Sequence, residues 1–236
     1  MTNSAKPLTI WPITGIGEIE PGDDVAGEIL RGVEELGLEL QNADIVVVTH
    51  KIVSKAEGQI RSIPDEATYR ALVEGEAVNI VRRRGDLVIA QTKHGFICAN
   101  AAVDRSNIAD GFALLLPDDP DRSAHRIRVL LERAAGVTIG VVMTDTFGRP
   151  WRRGLTDIAI GMSGLPSLVD YRGTLDSHGN TLAVTEVAAV DEIASAADLV
   201  MGKSEGIPAA LVRGLELSGT GRVSDLIRPP GEDLFR

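Results

Sequence analysis

Short apolar runs alternate along this chain with longer stretches in which apolar positions recur at helical spacing. The β-branched run at residues 45–48 predicts a strand that is buried on both faces of a sheet. The same kind of pattern predicts strands at residues 8–13, 44–49, 87–91, 95–98, 137–143, 158–162, 167–171 and 209–212. Helical spacing predicts helices at residues 25–36, 66–84 and 184–200, and a fourth helix that opens at residues 118–121. The polar segments between these elements are the places to look for ligand-binding groups.

One polar segment follows the predicted strand at residues 137–143 and mixes both signs of charge. Residues 144–154 contain Asp145, Thr146 and three arginines. Carboxylate and hydroxyl oxygens are ligands that Mg²⁺ and Mn²⁺ prefer, whereas guanidinium groups suit phosphate or carboxylate. The segment therefore predicts a metal–phosphate site at the end of the strand. An Asp turn followed by a solvated basic loop explains the same residues equally well.

A second polar segment follows the predicted strand at residues 44–49. It brings His50, Lys51 and Lys55 to the end of a buried strand, which is where parallel strands usually deliver ligand-binding groups. Ammonium groups at that place predict a phosphate-binding role. The alternative is an ordinary polar loop.

Two other segments carry weaker signals. Asp104 and Asn107 lie three residues apart, a spacing that on a turn points both side chains the same way, so one can hold a metal and the other a ligand. An Asx turn or a helix cap is the competing explanation. Residues 14–17, Thr-Gly-Ile-Gly, allow backbone amides to approach a ligand closely, but two glycines in a tight turn are common.

The tripeptide Gly202-Lys203-Ser204 resembles the end of the phosphate loop of nucleoside triphosphatases. That motif requires a glycine five residues before Gly202, where this chain has Ala197, and it requires a preceding strand. Because a helical pattern precedes it here, the motif is rejected.

Composition excludes several classes of protein. The 236 residues have a formal net charge of −10, which argues against a nucleic-acid-binding surface, since phosphate backbones are held by an excess of Lys and Arg. No run approaches the roughly 20 apolar residues of a membrane span, and residues 1–6 are too short and polar for a signal peptide. The single cysteine, Cys98, lies in an apolar run and is expected to be a buried thiol rather than a nucleophile. A single cysteine cannot form an internal disulfide, so we expect a protein of the reducing cytoplasm.

Five motifs, taken in order, resemble the coenzyme F420:L-glutamate ligase (gamma-glutamyl ligase) family. They are Pro21-Gly22-Asp23-Asp24, Ile52-Val53-Ser54-Lys55-Ala56-Glu57-Gly58, Ala101-Ala102-Val103-Asp104-Arg105-Ser106-Asn107, Thr144-Asp145-Thr146-Phe147-Gly148-Arg149 and Val184-Thr185-Glu186-Val187. The resemblance spans nearly the whole chain, so residues 1–236 are expected to form one gamma-glutamyl ligase unit. It implies a mixed α/β (α+β) fold of two intertwined subdomains around a mixed sheet, and a homodimer.

The resemblance also implies an activity. Members of the family add L-glutamate to coenzyme F420-0 with GTP, through an acyl phosphate, and release GDP and phosphate. The implied cofactors are two divalent ions, Mg²⁺ or Mn²⁺, and K⁺. A metal-dependent phosphohydrolase and a non-catalytic nucleotide-binding module remain as alternatives, because both need the same acids and lysines.

Site residues follow from the resemblance position by position. The implied nucleotide-binding residues are Thr14, Gly15, Ile16, Gly17, His50, Lys51, Lys55, Asn107, Met201, Gly202, Lys203, Ser204, Glu205, Gly206 and Ile207. One divalent ion is assigned to Asp104 and Asp145, and a second to Thr146 with help from the late loop. Many members have a metal-ligating glutamine where this chain has Lys203, and an ammonium has no lone pair for a metal. We therefore expect Glu205 to support the second ion, or water to replace the missing ligand.

Overall fold

The computed structural model describes residues 7–233. Within that range the strands are β1 (Thr9–Ile13), β2 (Ile45–Thr49), β3 (Ile60–Ser62), β4 (Ala77–Arg84), β5 (Leu87–Thr92), β6 (Ile97–Ala99), β7 (Phe112–Leu114), β8 (Gly140–Arg149), β9 (Arg152–Ser163), β10 (Val169–Asp170), β11 (Glu186–Val187) and β12 (Ala209–Arg213). The α-helices are α1 (Val25–Glu35), α2 (His50–Ala56), α3 (Glu66–Glu76), α4 (Pro120–Ala135) and α5 (Ala189–Met201). Helices and strands intermix along the chain, so the predicted mixed α/β class is confirmed.

A five-stranded mixed sheet forms the centre of the protein, with strand order β1-β12-β2-β8-β9. Strands β2 and β8 are parallel, and the other neighbouring pairs in this sheet are antiparallel. Parallel strands need a crossover, and the chain between β2 and β8 is long enough to hold three helices and the smaller sheets. Strand β2 lies in the middle of the sheet, as its continuous apolar run predicts.

Both faces of this sheet are covered by helices. Val46 and Val48 of β2 pack in a cluster with apolar residues of α1 and α4, whereas Ile45 and Val47 pack against α5 on the other face. Side chains alternate across a strand, so a strand covered on both faces must be apolar at every position. Each fully buried Ile or Val contributes about 1.5–3 kcal/mol to folding.

A smaller apolar cluster lies apart from the central sheet. It joins Tyr69 and Val73 of α3 to Val88 and Ala90 of β5 and to buried residues between positions 101 and 115. The three-stranded sheet β4-β5-β6 and the pair β3-β7 belong to this part of the chain. The division into two intertwined subdomains and the homodimer stay predictions.

The helix ends follow the local chemistry of the sequence. The carboxylate of Asp24 accepts the N–H of Gly27 at the start of α1, and that of Asp119 accepts the N–H of Arg122 at the start of α4. Helix α4 ends at Gly136, whose left-handed conformation suits a residue without a side chain. These signals place both helices where the sequence predicts them.

The prediction of one helix over residues 66–84 is wrong in its second half. Helix α3 ends at Glu76, and residues 77–84 form strand β4, which pairs with β5 through two register shifts. The β-branched residues Val78, Ile80 and Val81 favour an extended chain there, and pairing with β5 decides between the two structures.

Two segments predicted as loops are regular elements. Residues 144–149 continue β8 and pair with β9, so the segment after Met143 is a β-hairpin rather than a basic loop. Residues 50–56 form helix α2 directly after β2. The late helix is also shorter than predicted, since α5 begins at Ala189 and residues 186–187 form β11.

Two further predictions concern a membrane-spanning segment and a signal peptide. Across residues 7–233, no helix combines the length and the apolar composition that crossing a bilayer requires. The expectation about a signal peptide falls on residues 1–6, which lie outside the described residues.

Candidate active site

The parallel strands β2 and β8 deliver their polar residues to the same edge of the sheet. Thr49, the last residue of β2, lies opposite Thr144 of β8 in the register. Helix α2 starts at His50, immediately after β2, while β8 continues beyond the end of β2 through Asp145 to Arg149. The sheet therefore brings together residues that are almost 100 positions apart in the sequence.

Two further segments reach this edge through antiparallel pairing. Strand β12 begins at Ala209, opposite Val48 near the end of β2, and β1 ends at Ile13, opposite the same Ala209. Residues 14–17 and 202–208 therefore flank the ends of β2 and β8. The predicted glycine-containing turn and the predicted late loop lie at one site.

A cavity of about 740 Å³ opens at this edge. The predicted nucleotide-binding residues that line it are Ile16, Gly17, Lys51, Lys55, Asn107, Met201, Gly202, Lys203, Gly206 and Ile207. Thr14, Gly15, Ser204 and Glu205 are outside this lining, and His50 is completely buried behind it. The structure thus gathers most of the predicted nucleotide site, and leaves the nucleotide roles as predictions.

Lysine side chains dominate the charge of the cavity wall. Lys51 and Lys55 lie four residues apart on α2 and therefore face the same way, and Lys203 approaches from the late loop. The Lys55 ammonium is nearly buried and donates to Glu18 Oε1 at 2.5 Å, while the Glu18 side chain is 76% exposed. An exposed carboxylate is easily displaced, so Lys55 can exchange it for a phosphate.

Asp145 is held from behind by His50. The His50 Nε2 atom lies 3.4 Å from Asp145 Oδ1, and His50 Nδ1 lies 3.1 Å from Ser54 Oγ. The first distance is long for a good hydrogen bond, and His50 Nε2 has no hydrogen-bond partner among the described residues. Burial alone would raise the pKa of Asp145, but His50, Lys51 and the Thr146 N–H together bring it below its usual range. Asp145 is therefore an anion that the fold holds in place.

Asp104 comes from the other part of the chain and contacts Lys51 of the cavity wall. Its carboxylate contacts the Lys51 ammonium and accepts hydrogen bonds from Ser106. The pKa of Lys51 is lowered, first by burial and also by the nearby Lys203 and Lys55, while Asp145 and Asp157 act against that shift. Lys51 thus interacts with both predicted ligands of the first ion. We call Lys51, Asp104, Asp145 and His50 the Lys51 cluster.

A second group of charges lies beside the first. The Lys203 ammonium donates to Thr146 Oγ1 at 2.8 Å and to Asp157 Oδ1 at 2.6 Å, and lies 2.6 Å from Asp198 Oδ1. Thr144 and Thr146 hydroxyls also donate to Asp157, whose side chain is only 5% exposed. Burial alone would lower the pKa of Lys203, but the two aspartates raise it above its usual range. We call Lys203, Thr146, Asp157 and Asp198 the Lys203 cluster.

The predicted first metal site has a suitable donor set. Mg²⁺ usually keeps several waters and is bound by one or two carboxylates together with substrate phosphates. Asp104 and Asp145 supply that number of carboxylates, and Lys51 offsets one of their two negative charges in the protein alone. Nowhere in residues 7–233 do three His, Cys, Asp or Glu side chains gather as metal ligands. A divalent ion held by these two carboxylates would complete its coordination with water or substrate phosphates.

The predicted second site has a different donor set from the one expected. Thr146 lies at the cavity, but its hydroxyl is bonded to Asp157 and Lys203. The Glu205 carboxylate folds back onto the N–H and hydroxyl of Ser204. The role of Glu205 as a metal ligand stays a prediction.

Sequence reasoning did not single out Asp157, Asp198 or Glu18. Glu18 and Asp157 line the cavity, and Asp198 pairs with Lys203 of its wall. Asp157 gives the one available signal, because it is a lone acid at the start of the apolar run Ile158–Ile160. Its partner could not be read from the sequence, since only the β8–β9 register places Asp157 opposite Thr146.

Cys98 is a buried thiol, as predicted. Burial, with a smaller contribution from the charge of Asp145, raises its pKa to about 12. A thiol with that pKa is almost entirely protonated at neutral pH and is a poor nucleophile.

A smaller cavity of about 290 Å³ lies near α3 and β5. Its arginines are already paired: Arg70 with Asp86, Arg83 with Glu74, and Arg105 with Glu66. These exposed pairs leave little unbalanced charge, so the larger cavity at the sheet edge is the better candidate for an active site.

The chain is similar to a family of known proteins. The family model for F420-0:Gamma-glutamyl ligase matches residues 15–214, a range that contains every element of the cavity wall. The chain is 41% identical to the coenzyme F420:L-glutamate ligase of Methanothermobacter thermautotrophicus, over 97% of this chain and 99% of the relative. It is 40% identical to the protein of the same name from Methanopyrus kandleri, over 97% and 98%. The corresponding protein of Archaeoglobus fulgidus is 36% identical, over 97% and 96%.

The matched range covers most of the chain, and the relatives align over nearly their whole length. The resemblance carried by the five sequence motifs is thereby confirmed. This chain belongs to the F420-0:gamma-glutamyl ligase family.

Proposed function

We propose that this protein is a GTP-dependent ligase that adds L-glutamate to coenzyme F420-0 and yields gamma-glutamyl F420, GDP and phosphate. Membership of the family and the names of the relatives support the ligase activity and the two substrates F420-0 and L-glutamate. The observation that carries the nucleotide part is the 740 Å³ cavity, whose wall brings Lys51, Lys55 and Lys203 together.

The cavity suits a nucleoside triphosphate in size and charge. Pockets of 300–1,000 Å³ accommodate ligands of that size, and the three ammonium groups match the charge of a triphosphate. Ile16, Ile52 and Ile207 supply apolar wall for a base or ribose. The preference for GTP over other nucleotides is taken from the resemblance.

The proposed chemistry needs positioning and charge rather than a protein nucleophile. The carboxylate of F420-0 attacks the γ-phosphorus, the bond to the β-phosphate oxygen breaks, and GDP leaves with an acyl phosphate formed. The amine of glutamate then attacks the acyl carbon, phosphate leaves, and the amine loses a proton. Lys51 and Lys55 hold the phosphates and offset the charge on the transferring group. The protonated, buried Cys98 takes no part.

Divalent metal enters this proposal through the Lys51 cluster. Asp104 and Asp145 would hold one Mg²⁺ or Mn²⁺ against the phosphates, and the ion would supply further stabilisation of negative charge. His50 positions Asp145 for that role, since it is buried and contacts the carboxylate rather than the cavity. A requirement for K⁺ and assembly as a homodimer are part of the proposal on the strength of the resemblance.

The test is product analysis by chromatography with mass detection. The purified protein is incubated with GTP, Mn²⁺, L-glutamate and F420-0, and with each component left out in turn. We expect a product heavier by a glutamyl unit, with sustained formation of GDP only when all components are present.

Two other outcomes would contradict the proposal. Phosphate release that is independent of glutamate and F420-0 would indicate a phosphohydrolase. Nucleotide binding without turnover under any of these conditions would indicate a binding module.

A further inference from the structure

The Lys203 cluster places a cation inside a set of oxygen atoms that would otherwise suit a metal ion. The ammonium lies 2.6–2.8 Å from one oxygen each of Thr146, Asp157 and Asp198. An ammonium has three N–H donors, so these three oxygens account for all of them. The three oxygens surround the ammonium as ligands surround a metal ion, but this cation belongs to a side chain of the protein itself.

We propose that the Lys203 ammonium is a built-in cation that takes the place of a second divalent ion. The protein would then bind one divalent ion per chain together with nucleotide, in the Lys51 cluster. This inference rests on the proposed nucleotide site, although it concerns only the number of ions bound there.

The burial of Asp157 explains why this cluster needs a cation. Its side chain is 5% exposed and accepts from two threonine hydroxyls as well as from Lys203. A buried carboxylate is costly unless a cation compensates it. Lys203 supplies that compensation in the protein alone, so Asp157 does not require a metal.

The charge balance of the Lys203 cluster disfavours the binding of a further divalent ion. Two aspartates and one lysine leave the Lys203 cluster with one unit of negative charge, whereas the same oxygens without Lys203 would carry two. A divalent ion entering the cluster would have to displace an ammonium that has three oxygen partners, or lie against it. The first arrangement breaks those three contacts, and the second places two cations side by side.

The position of Lys203 gives the ammonium a use at the cavity. Lys203 lines the wall beside Thr146 and Asp157, and its side chain is 54% exposed. Its positive charge therefore acts on a bound phosphate across the cavity while its N–H groups stay bonded to protein oxygens. Lys203 is thus a fixed charge that a metal would otherwise provide.

The test counts bound Mn²⁺ by the loss of the free-ion signal in electron paramagnetic resonance. The protein is titrated with Mn²⁺ in the presence of saturating non-hydrolysable GTP analogue. We expect one Mn²⁺ per chain for the wild type and for Lys203→Arg, which keeps the charge. Lys203→Gln removes the charge and offers an amide oxygen, and we expect it to bind two.

A matched control removes a lysine charge elsewhere. Lys93 pairs with Asp118 at 2.7 Å outside the cavity wall, so Lys93→Gln is expected to bind one Mn²⁺ like the wild type. Circular dichroism and thermal unfolding establish that each variant is folded. If Lys203→Gln does not fold, Lys203→Met with the same titration serves instead, since it also removes the charge.

Two Mn²⁺ ions in the wild type, or one in the folded charge-removing variant, would overturn the inference. The count needs no turnover, so it can fail while the ligase activity is found, and it can succeed while that activity is absent. Failure of the analogue to bind would instead count against the proposed nucleotide site, and with it this inference.

Discussion

The Lys51 cluster and the Lys203 cluster both place a lysine among aspartates at one cavity, but they hold it differently. Lys51 contacts the carboxylate of Asp104, and its pKa is lowered by burial. Lys203 has three oxygen partners, and its pKa is raised. Lys51 thus has one close carboxylate partner, whereas Lys203 has three oxygen partners.

This difference predicts a division of roles between the acids of the two clusters. In the proposed function, a lysine with one carboxylate partner would exchange that partner for a phosphate, and the acids of the Lys51 cluster would then be available to a divalent ion. A lysine with all its donors satisfied stays in place, so the acids of the Lys203 cluster remain structural. The variants described next test that division, starting with the largest expected effect.

Removing a charge from the Lys51 cluster should affect catalysis most. Asp145→Asn keeps the shape of the side chain but removes a charge that His50 and Lys51 hold in place. Loss of one preorganised charge of this kind lowers turnover by about 10²–10³-fold. We expect the same order of loss for Asp104→Asn, measured as product formed with GTP, Mn²⁺, glutamate and F420-0.

Thermal unfolding of both variants provides the control, and both should remain folded. Turnover at the wild-type rate in either variant would show that the acid is a turn-forming residue. The divalent ion would then have to be placed elsewhere.

Removing a charge from the Lys203 cluster should affect folding more than the same change in the Lys51 cluster. Asp157→Asn leaves the Lys203 ammonium and two threonine hydroxyls facing a neutral amide in a buried place. Leaving buried donors without good acceptors costs about 1–3 kcal/mol. The side chain of Asp104 is 24% exposed, so Asp104→Asn should cost less than about 1 kcal/mol. Urea unfolding of the two variants, side by side, measures the difference, and equal stabilities would remove the distinction between the clusters.

Lys55 gives a smaller effect, limited to nucleotide affinity. Lys55→Ala removes a charge-assisted contact to phosphate, and we expect the Kd of a GTP analogue to rise about tenfold, which corresponds to ~1.4 kcal/mol. Glu18→Gln removes the acid that holds Lys55 in the protein alone, so it should bind the analogue at least as tightly as the wild type. Calorimetry with Lys93→Ala as the control measures all three. An unchanged Kd in Lys55→Ala would mean that Lys55 serves only to pair with Glu18.

The parts of the fold that were predictable are those set by local chemistry. The run at residues 45–48 identifies the central strand, and Asp24 and Asp119 mark helix starts, because burial on two faces and N-terminal capping act within a few residues. Strand β4 was missed because its partner β5 decides its structure. The hairpin after Met143 was missed for the same reason, since pairing with β9 extends β8 through residues that suit a turn.

The candidate site shows the same limit. Residues that follow the apolar run of a buried strand, such as Lys51 and Asp145, were found because strand ends are where ligand-binding groups gather. Asp157 and Asp198 were not, because each is an ordinary acid in its own segment. Only the register of β8 with β9 and the packing of α5 bring them to Lys203.

Cys98 provides the smallest effect and the finest test of where the two clusters lie. Burial is the main cause of its pKa of about 12, and the charge of Asp145 is a secondary cause. Asp145→Asn removes only the secondary cause, so we expect a slight fall in the thiol pKa and a slightly faster alkylation at pH 9–10. Asp157→Asn changes a charge in the other cluster and should leave the reaction unaltered. The measurement is the pH dependence of the alkylation rate in folded protein, and the same variants in urea correct for intrinsic reactivity. An equal response in both variants would mean that Cys98 senses the total charge of the cavity rather than its neighbour Asp145.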